Sequence, residues 1–425
     1  MNENLQGAKQ SSTRPETAWL NRNVVGMGLT SLLSDAGHEM ATAILPGFLA
    51  ALGMSAAALG LIEGVADAVS SFAKIGAGWL ADRFGHRKAI TVGAYLLTGV
   101  SKALFAFAYG LPLILVGRVL AWFGRGIRGP VRDAMLAESV PVEARGRAFG
   151  FHRAGDTLGA VVGPLIGVGL LAILGHSVVD ASRPFRIVFL VTLIPGVGSA
   201  LAFALMVKDP HQGGSVREFW LTVKNLPDNF RRLLYGVGVF GMGDFSHTLM
   251  ILAATQLLST KYGVVKAAEI AGFLYALHNA FYAAASYPVG ALSDRFSRVR
   301  LLTGGYGIGA LMVLGFLVAF AKQITTPLFL ALLFALGGMY MAVQDTLEGA
   351  LTADLVPKPS RGTAFGVMGT VNGVGDLVAS VMLGSLWTAV SPVFAFACSS
   401  VLMVVGGVLL FSMSRGPIGQ AAKSA

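Results

Sequence analysis

The sequence predicts an all-α membrane protein of twelve transmembrane helices, arranged as two similar six-helix halves. Three observations predict this fold class: apolar residues dominate the composition, long apolar runs recur along the chain, and motifs of the first half return in the second. Hydrophobic residues make up 54% of the 425 residues and charged residues 13%, whereas a soluble domain carries roughly 25% charged residues. The mean hydropathy is +0.68.

The apolar runs are each long enough to cross a bilayer, which takes about 20 helical residues. The first six form a predicted N-terminal bundle over 24–207 and cover residues 24–50, 55–81, 89–110, 112–137, 145–173 and 186–207. The second six form a predicted C-terminal bundle over 233–414 and cover residues 233–258, 267–293, 299–321, 327–353, 362–387 and 391–414. Polar segments complete the chain as tails over 1–23 and 415–425 and a linker over 208–232.

The basic residues indicate how the chain crosses the membrane. The formal net charge of +10 alone would be compatible with a nucleic-acid partner. When both termini are placed in the cytoplasm, however, most Lys and Arg residues fall in cytoplasmic segments, as the positive-inside rule predicts. We therefore expect a multi-pass protein of the bacterial inner membrane, surrounded by lipid, with no nucleic-acid partner.

We expect neither a cleaved signal peptide nor cross-linking through cysteines. The N-terminal segment has no apolar stretch followed by a small-residue cleavage site, so no signal peptide is predicted. The single cysteine, Cys398, excludes internal disulfides and Cys-based metal clusters.

Motifs of the first half return in the second at a nearly constant spacing. GWLADRFGHRK over 78–88 returns as GALSDRFSRVR over 290–300, so that Asp82 corresponds to Asp294. ARGRAFG at the start of the fifth run returns as SRGTAFG at the start of the eleventh. Repeats about an axis along the membrane normal place a solute site where the halves meet, near mid-membrane.

At these residues the sequence resembles the major facilitator superfamily, over nearly the whole chain. The family's loop motif, G-x-x-x-D-R-x-G-R-[RK], is matched between helices two and three, with His86 where the family usually has Arg. The second copy has Ser297 in place of a glycine. The resemblance implies a solute transporter in which these two loops act as gates, through Gly78, Asp82, Arg83, Gly85, Arg87, Gly290, Asp294 and Arg295.

Two further helices resemble family motifs. In helix five, Gly159, Gly163, Pro164 and Gly167 are similar to the glycine-proline motif of family exporters and antiporters, which favours export. Such glycines make a flat stripe for a neighbouring helix, and the proline permits a bend. The alternative is that these glycines only allow close helix packing and do not indicate the direction of transport. In helix four, Arg118 matches an arginine implicated in proton transfer in family exporters.

Helix four carries an unusual number of arginines for a membrane span. At about 100° per residue, they fall within an arc of about 80° and form one cationic face, made of Arg118, Arg125, Arg128 and Arg132. Helix ten places acidic or polar residues at the matching level, namely Gln344, Asp345 and Glu348. We expect the two faces to pair across a cavity and the arginines to bind an anionic solute, because a guanidinium is a forked donor. Snorkelling to the interface is the alternative for the two arginines closest to the cytoplasm.

Helices one and seven share a polar pattern. Asp35, His38 and Glu39 lie on one face of helix one, and Asp244 and His247 occupy the repeated positions in helix seven. One interpretation is proton coupling by a carboxylate that changes its exposure, at Asp35 or Glu39 with the help of Arg118. Another is a divalent metal site made of Asp35, His38, Asp244 and His247. Structural hydrogen bonds between helices are the third.

The predicted function is secondary active transport of a small solute by alternating access, as proton-coupled export of an organic anion or amphiphile. A divalent-metal or metal-chelate transporter is the alternative, and a channel or non-transporting receptor is the alternative of another class. No G-x-S-x-G, H-E-x-x-H or nucleotide-binding loop is present, so an enzyme is not expected. We expect no cofactor, protons and a small solute as partners, and a monomer.

Overall fold

The computed structural model describes residues 19–84, 86–141, 144–174, 180–209, 226–293, 295–357 and 361–414. Its helical spans in the N-terminal half are α1 (Arg22–Ala51), α2 (Ala56–Phe84), α3 (Arg87–Ser101, followed by a 3-10 turn at Lys102–Phe107), α4 (Leu111–Glu138), α5 (Arg145–Leu174) and α6 (Arg183–Val191 and Leu193–Met206). The spans of the C-terminal half are α7 (α7a, Asp228–Gly241, and α7b, His247–Tyr262), α8 (Val264–Ser293), α9 (Arg298–Ala321), α10 (Pro327–Leu355), α11 (Arg361–Ala389) and α12 (Pro392–Ser414).

The prediction of an all-α fold with twelve spans is confirmed in the described part of the chain, and α7 is the span that differs most from its predicted form. The sequence predicts one continuous helix over 233–258, whereas the helix begins at Asp228 and is interrupted between Gly241 and His247. Glycines and an aspartate favour helix ends over helix interiors, because glycine is flexible and Asp competes for backbone hydrogen bonds. At this break, the Ser246 amide donates to the hydroxyl of Ser380 on α11 at 3.0 Å.

By length and composition, eight helical stretches in the described residues are suited to crossing a membrane. They belong to α2, α3, α5, α6, α9, α10, α11 and α12. Of the other spans, α7 is divided into helices of 14 and 16 residues, and α1, α4 and α8 bury charged or polar side chains. These less apolar spans build most of the site described below.

The glycine stripe of α5 packs directly on α1. A Cβ atom added at Gly159 would lie 2.5 Å from the carbonyl oxygen of Leu32, and one at Gly163 would lie 2.4 Å from that of Ala36. Any larger residue would push the two helices apart. The stripe therefore fixes the position of α1, and with it that of Asp35.

The two halves meet through α2 against α11 and α5 against α8. We call the end of the bundle at which α1 begins the terminal end, and the opposite end the distal end. Near the distal end, the Ala57 amide donates to the hydroxyl of Thr388 at 2.9 Å. A Cβ added at Gly60 would lie 2.2 Å from the carbonyl oxygen of Ser380. The distal end is therefore closed by direct backbone contact.

Toward the terminal end, the same two helices separate. A Cβ added at Gly373 of α11 would still meet Ser71 of α2 at 2.0 Å. About one and two turns further along this face, nothing lies within 4 Å of a Cβ at Gly369 or Gly366, and Gly76 on α2 likewise faces open space. In the described residues, the halves therefore enclose a cleft that is closed at the distal end and opens toward the terminal end.

The close contact at Gly60 predicts that Gly60→Leu will force α2 and α11 apart. Overpacking of this kind costs about 1–3 kcal/mol, so thermal unfolding of the purified protein should occur at a lower temperature. Gly76→Leu on the same helix is the matched control, and its unfolding should resemble that of the unaltered protein. An equal loss in both variants would show that contact between the halves is not the cause.

Candidate functional site

Asp35 on α1 is the counter-ion of two arginines on α4. Its Oδ1 lies 3.2 Å from Nη2 of Arg128 and 3.7 Å from Nη1 of Arg125. Arg128 also donates to the Ser34 hydroxyl and lies 4.4 Å from the centre of the Tyr95 ring. Among the described residues, Asp35 is thus the one carboxylate within ion-pair distance of these two guanidinium groups.

Arg118 forms a buried ion pair with Glu63 of α2. Its Nη2 lies 2.8 Å and its Nε 3.2 Å from the same oxygen, Oε2, and the two side chains are 1% and 0% exposed. Its Nη1 donates to the Thr42 hydroxyl on α1 at 3.2 Å. The pair ties α4 to α1 and α2 and leaves Arg118 no surface on the cleft.

Arg125 is the most accessible of the four arginines. Its side chain is 30% exposed, against 1% for Arg118 and 3% for Arg128. Its Nη1 has no hydrogen-bond partner among the described residues. The nearby Lys102 is 1% exposed and has no ion pair within the described part of the chain.

Two more polar atoms beside Arg125 are buried and unpartnered in the described residues, the indole Nε1 of Trp122 and the Nδ1 of His38. The Arg125 guanidinium lies 5.2 Å from the centre of the Trp122 ring, and the rings of Trp122 and His38 lie 4.9 Å apart. The indole nitrogen and the guanidinium can only donate, and His38 donates in the tautomer that protonates Nδ1. We call these three residues the donor patch.

Glu39 connects the halves. The Tyr275 hydroxyl on α8 donates to its Oε2 at 2.7 Å, and one turn along, Asn279 donates to the carbonyl of Ala160 on α5 at 2.7 Å. The Tyr275 ring also stacks on the His247 ring, with centres 5.3 Å apart. These bonds hold the halves together on the distal side of the cleft.

Polar side chains recur at helical spacing on this face of α8, and the sequence singles out only His278 among them. The others are Tyr275, Asn279 and Tyr282. Tyr275 and Asn279 contact the N-terminal half, whereas Tyr282 contacts Asp345 of its own half.

In the C-terminal half, neutral groups hold the carboxylates. Asp244, in the break of α7, accepts hydrogen bonds from the Tyr340 hydroxyl and from Nε2 of Gln344, the latter at 3.2 Å. Asp345 is exposed and accepts from the Tyr282 hydroxyl at 2.8 Å. Neither carboxylate has a Lys or Arg partner among the described residues. The Oε1 of Gln344 is buried and has no hydrogen-bond partner there.

Glu348 plays a different part from the one predicted. It is 3% exposed, and both oxygens are engaged, one by the Tyr306 hydroxyl of α9 and the other by the Asn372 amide of α11, each at 2.7 Å. It ties three helices of its own half together.

The predicted pairing between α4 and α10 is not formed in this conformation. Arg128 is bonded to Asp35 rather than to Gln344, and Arg132 lies 2.9 Å from its neighbour Asp133 rather than against Glu348. Arg128, Arg132 and Glu348 thus find their partners within their own halves, because a cleft separates the halves at this level. The two faces therefore remain as opposite walls of different charge.

The metal alternative has no assembled ligand set. Asp35 already faces two cations, His38 packs on Trp122, and Asp244 accepts from Tyr340 and Gln344. The described residues contain no group of three or more His, Cys, Asp or Glu side chains that could hold a metal ion. Arginines beside Asp35 also oppose a divalent cation electrostatically.

The gating motif is described only in part. Outside the described part of the chain lie Gly85, Asp294 and the side chains of Asp82 and Arg83. In the described part, Arg87 is buried, and its Nη1 lies 2.9 Å from Oε1 of Glu138 at the end of α4. This contact joins the loop motif to the arginine-bearing helix.

Comparison with known proteins places this geometry in a family. The sequence matches the family model of the Major Facilitator Superfamily over residues 27–264 and again over 233–424, so that both halves are covered. An uncharacterized MFS-type transporter of Methanocaldococcus jannaschii is 31% identical over 394 residues, which make up 92% of this chain and 94% of the relative.

Two more similarities are informative. A probable 4-methylmuconolactone transporter of Cupriavidus pinatubonensis is 25% identical over 409 residues, covering 90% of this chain and 88% of that protein. Among solved structures, a bacterial homologue of the human lysosomal transporter Spinster, inward-facing and occupied, superposes with a TM-score of 0.72 at 19% identity. The match covers 92% of this chain and 96% of that one. The chain belongs to the major facilitator superfamily.

Proposed function

We propose that this protein is a secondary active transporter that exports a small organic anion by proton-coupled alternating access. The observation that carries the proposal is the shared counter-ion: Arg125 and Arg128 have one carboxylate, Asp35, between them. Within ion-pair distance, two cations therefore meet one anion inside the bundle, where an incompletely paired charge is costly and marks a functional site. An anionic solute would complete the pairing.

The donor patch matches the chemistry of a carboxylate. A guanidinium offers parallel N–H groups in the geometry that a carboxylate accepts, and Trp122 and His38 supply further nitrogens that have no partner in the described residues. The similarity to a probable 4-methylmuconolactone transporter supports a small organic solute. The resemblance of the α5 motif to that of family exporters supports export.

The cleft supports alternating access. With both termini in the cytoplasm, the terminal end is the cytoplasmic side, and the described conformation is open inward. Opening outward requires the contacts of α2 with α11 and of Tyr275 with Glu39 to break. Glu39 is thus a carboxylate whose environment changes with the orientation of the halves.

Glu39 fits proton coupling better than the other two candidates. Asp35 is committed to two guanidinium groups, and Arg118 to a buried carboxylate. A hydrogen bond from a neutral hydroxyl to a charged carboxylate is strong, and protonation of Glu39 would weaken the bond from Tyr275. Proton binding would therefore change the stability of the contact that closes the distal end.

Arg125→Gln should weaken the binding of carboxylate solutes by about 10- to 100-fold. A hydrogen bond to a charged group contributes about 1.5–3 kcal/mol, and about 1.4 kcal/mol corresponds to a factor of ten. A panel of organic carboxylates, titrated by thermal shift, measures the change. Arg231→Gln, an exposed arginine on α7a, is the control. Unchanged affinity in Arg125→Gln would return Arg125 to a structural role.

Glu39→Gln should abolish transport driven by a pH gradient and retain exchange of solute at equal pH. The amide keeps the shape of the carboxylate but cannot take up and release a proton. Tyr275→Phe is the matched variant, because it removes the hydrogen bond and leaves the titrating group, and gradient-driven transport should persist at a changed rate. Proteoliposomes with the gradient imposed in either direction give the measurement. Full gradient-driven transport by Glu39→Gln would remove Glu39 from coupling.

Glu63→Leu should destabilise the protein by about 3–5 kcal/mol, because it leaves the Arg118 guanidinium buried and unpaired. The double variant Glu63→Leu/Arg118→Met should recover most of the loss, since it removes both charges. Thermal unfolding of the single and double variants measures this. A stable double variant that has lost gradient-driven transport would restore Arg118 as a proton-coupling residue.

A further inference from the structure

The two walls of the cleft differ in the kind of hydrogen-bonding group that lacks a partner. On the N-terminal wall, the donor patch offers nitrogens without partners in the described residues. On the C-terminal wall, the unpartnered atom is an acceptor, Oε1 of Gln344, on a side chain that is 8% exposed. Two further unpartnered acceptors lie elsewhere in the described residues: Oε1 of Glu63, in the carboxylate already paired with Arg118, and Oδ1 of Asp209, just beyond the end of α6.

The break in α7 favours a positive charge. The Asp244 carboxylate accepts bonds from Tyr340 and Gln344, which are neutral, and no Lys or Arg pairs with it in the described part of the chain. The break lies between the C-terminal end of α7a at Gly241 and the N-terminal end of α7b at His247, and the partial charges of the two helix ends are opposite. The carboxylate of Asp244 and the amide of Gln344 thus lie together without a Lys or Arg among the described residues.

From these opposite walls we infer that the transported solute is zwitterionic and that its ammonium group binds at Asp244 and Gln344. The inference rests on the proposed function for the carboxylate end, which binds at Arg125. An ammonium group has three N–H donors and no acceptor, which suits Asp244 together with the free oxygen of Gln344. A simple anion would leave that wall uncompensated when the cleft closes around it, and buried uncompensated charge is costly.

The test uses matched probes on the purified full-length protein. Thermal-shift titrations compare pentanoate, pentylamine and 5-aminopentanoate, and the comparison is repeated over a range of chain lengths, because the span between the walls sets the best length. We expect an amino acid of the best length to stabilise the protein at a concentration at least about tenfold lower than either single-ended probe. Titration with sodium chloride against choline chloride is run in parallel.

Two variants test which wall of the cleft binds each end of the solute. Asp244→Asn should remove the advantage of the amino acid and leave the response to pentanoate unchanged, whereas Arg125→Gln should weaken both. Asp228→Asn, an exposed carboxylate at the start of the same helix, is the control. If Asp244→Asn does not fold, Gln344→Leu removes the free acceptor and keeps the carboxylate, and the same loss is expected.

The outcomes separate the two proposals. Equal responses to pentanoate and 5-aminopentanoate, unaffected by Asp244→Asn, would overturn the zwitterion and leave the anion transporter intact. Stabilisation by sodium that is lost in Asp244→Asn would make the break an ion site and also overturn it. No response to any carboxylate-bearing probe would contradict both.

Discussion

Two guanidinium groups share the carboxylate of Asp35 in the middle of the N-terminal half, and the arrangement around them follows from that shortage of negative charge. Charge buried away from water is tolerated when it is paired and hydrogen-bonded. Arg118 meets this condition through Glu63. Arg125 meets it only in part, because its carboxylate lies 3.7 Å away and is closer to Arg128, at 3.2 Å. This difference is why we propose Arg125 as a binding residue and Arg118, on the same helix, as a structural one.

The position of α1 links this ion pair to the movement of the halves. Asp35 and Glu39 lie one turn apart on the same face of α1, and Asp35 contacts α4 of its own half whereas Glu39 contacts α8 of the opposite half. The glycine stripe of α5 leaves α1 little freedom to adjust, since the two backbones already touch at Gly159 and Gly163. A change at either carboxylate is therefore transmitted through a rigid helix. In the mechanism that we propose, solute binding beside Asp35 and breaking of the hydrogen bond between Tyr275 and Glu39 both act on α1.

The sequence was informative where the signal lies within one helix and less so where it lies between helices. Composition and run length predicted the twelve spans, and helical spacing grouped Asp35 with Glu39 on α1 and Arg125 with Arg128 on α4. Spacing alone did not predict which partner Arg128 or Glu348 would choose, because a charged side chain reaches several neighbouring helices. The tyrosines that hold Asp244 and Glu348 were missed for the same reason. The break in α7 could be predicted only by considering Gly241, Gly243 and Asp244 together. Within an apolar run, each of these residues alone is compatible with an ordinary transmembrane helix.

The two halves have kept one backbone design and diverged in how they satisfy buried carboxylates. Beside the cleft, the first half pairs Asp35 and Glu63 with arginines, whereas the second holds its carboxylates with the hydroxyl groups of Tyr340, Tyr306 and Tyr282 together with side-chain amides. A symmetric pair of walls would accept a solute in either of two orientations. In the site that we propose, walls of opposite charge would accept a polar solute in one orientation only, with its negative end toward α4 and its positive end toward α7. Since rocking of the halves moves both walls about the solute, the attachment at each end would be made and broken separately, and the two ends could respond to different ions.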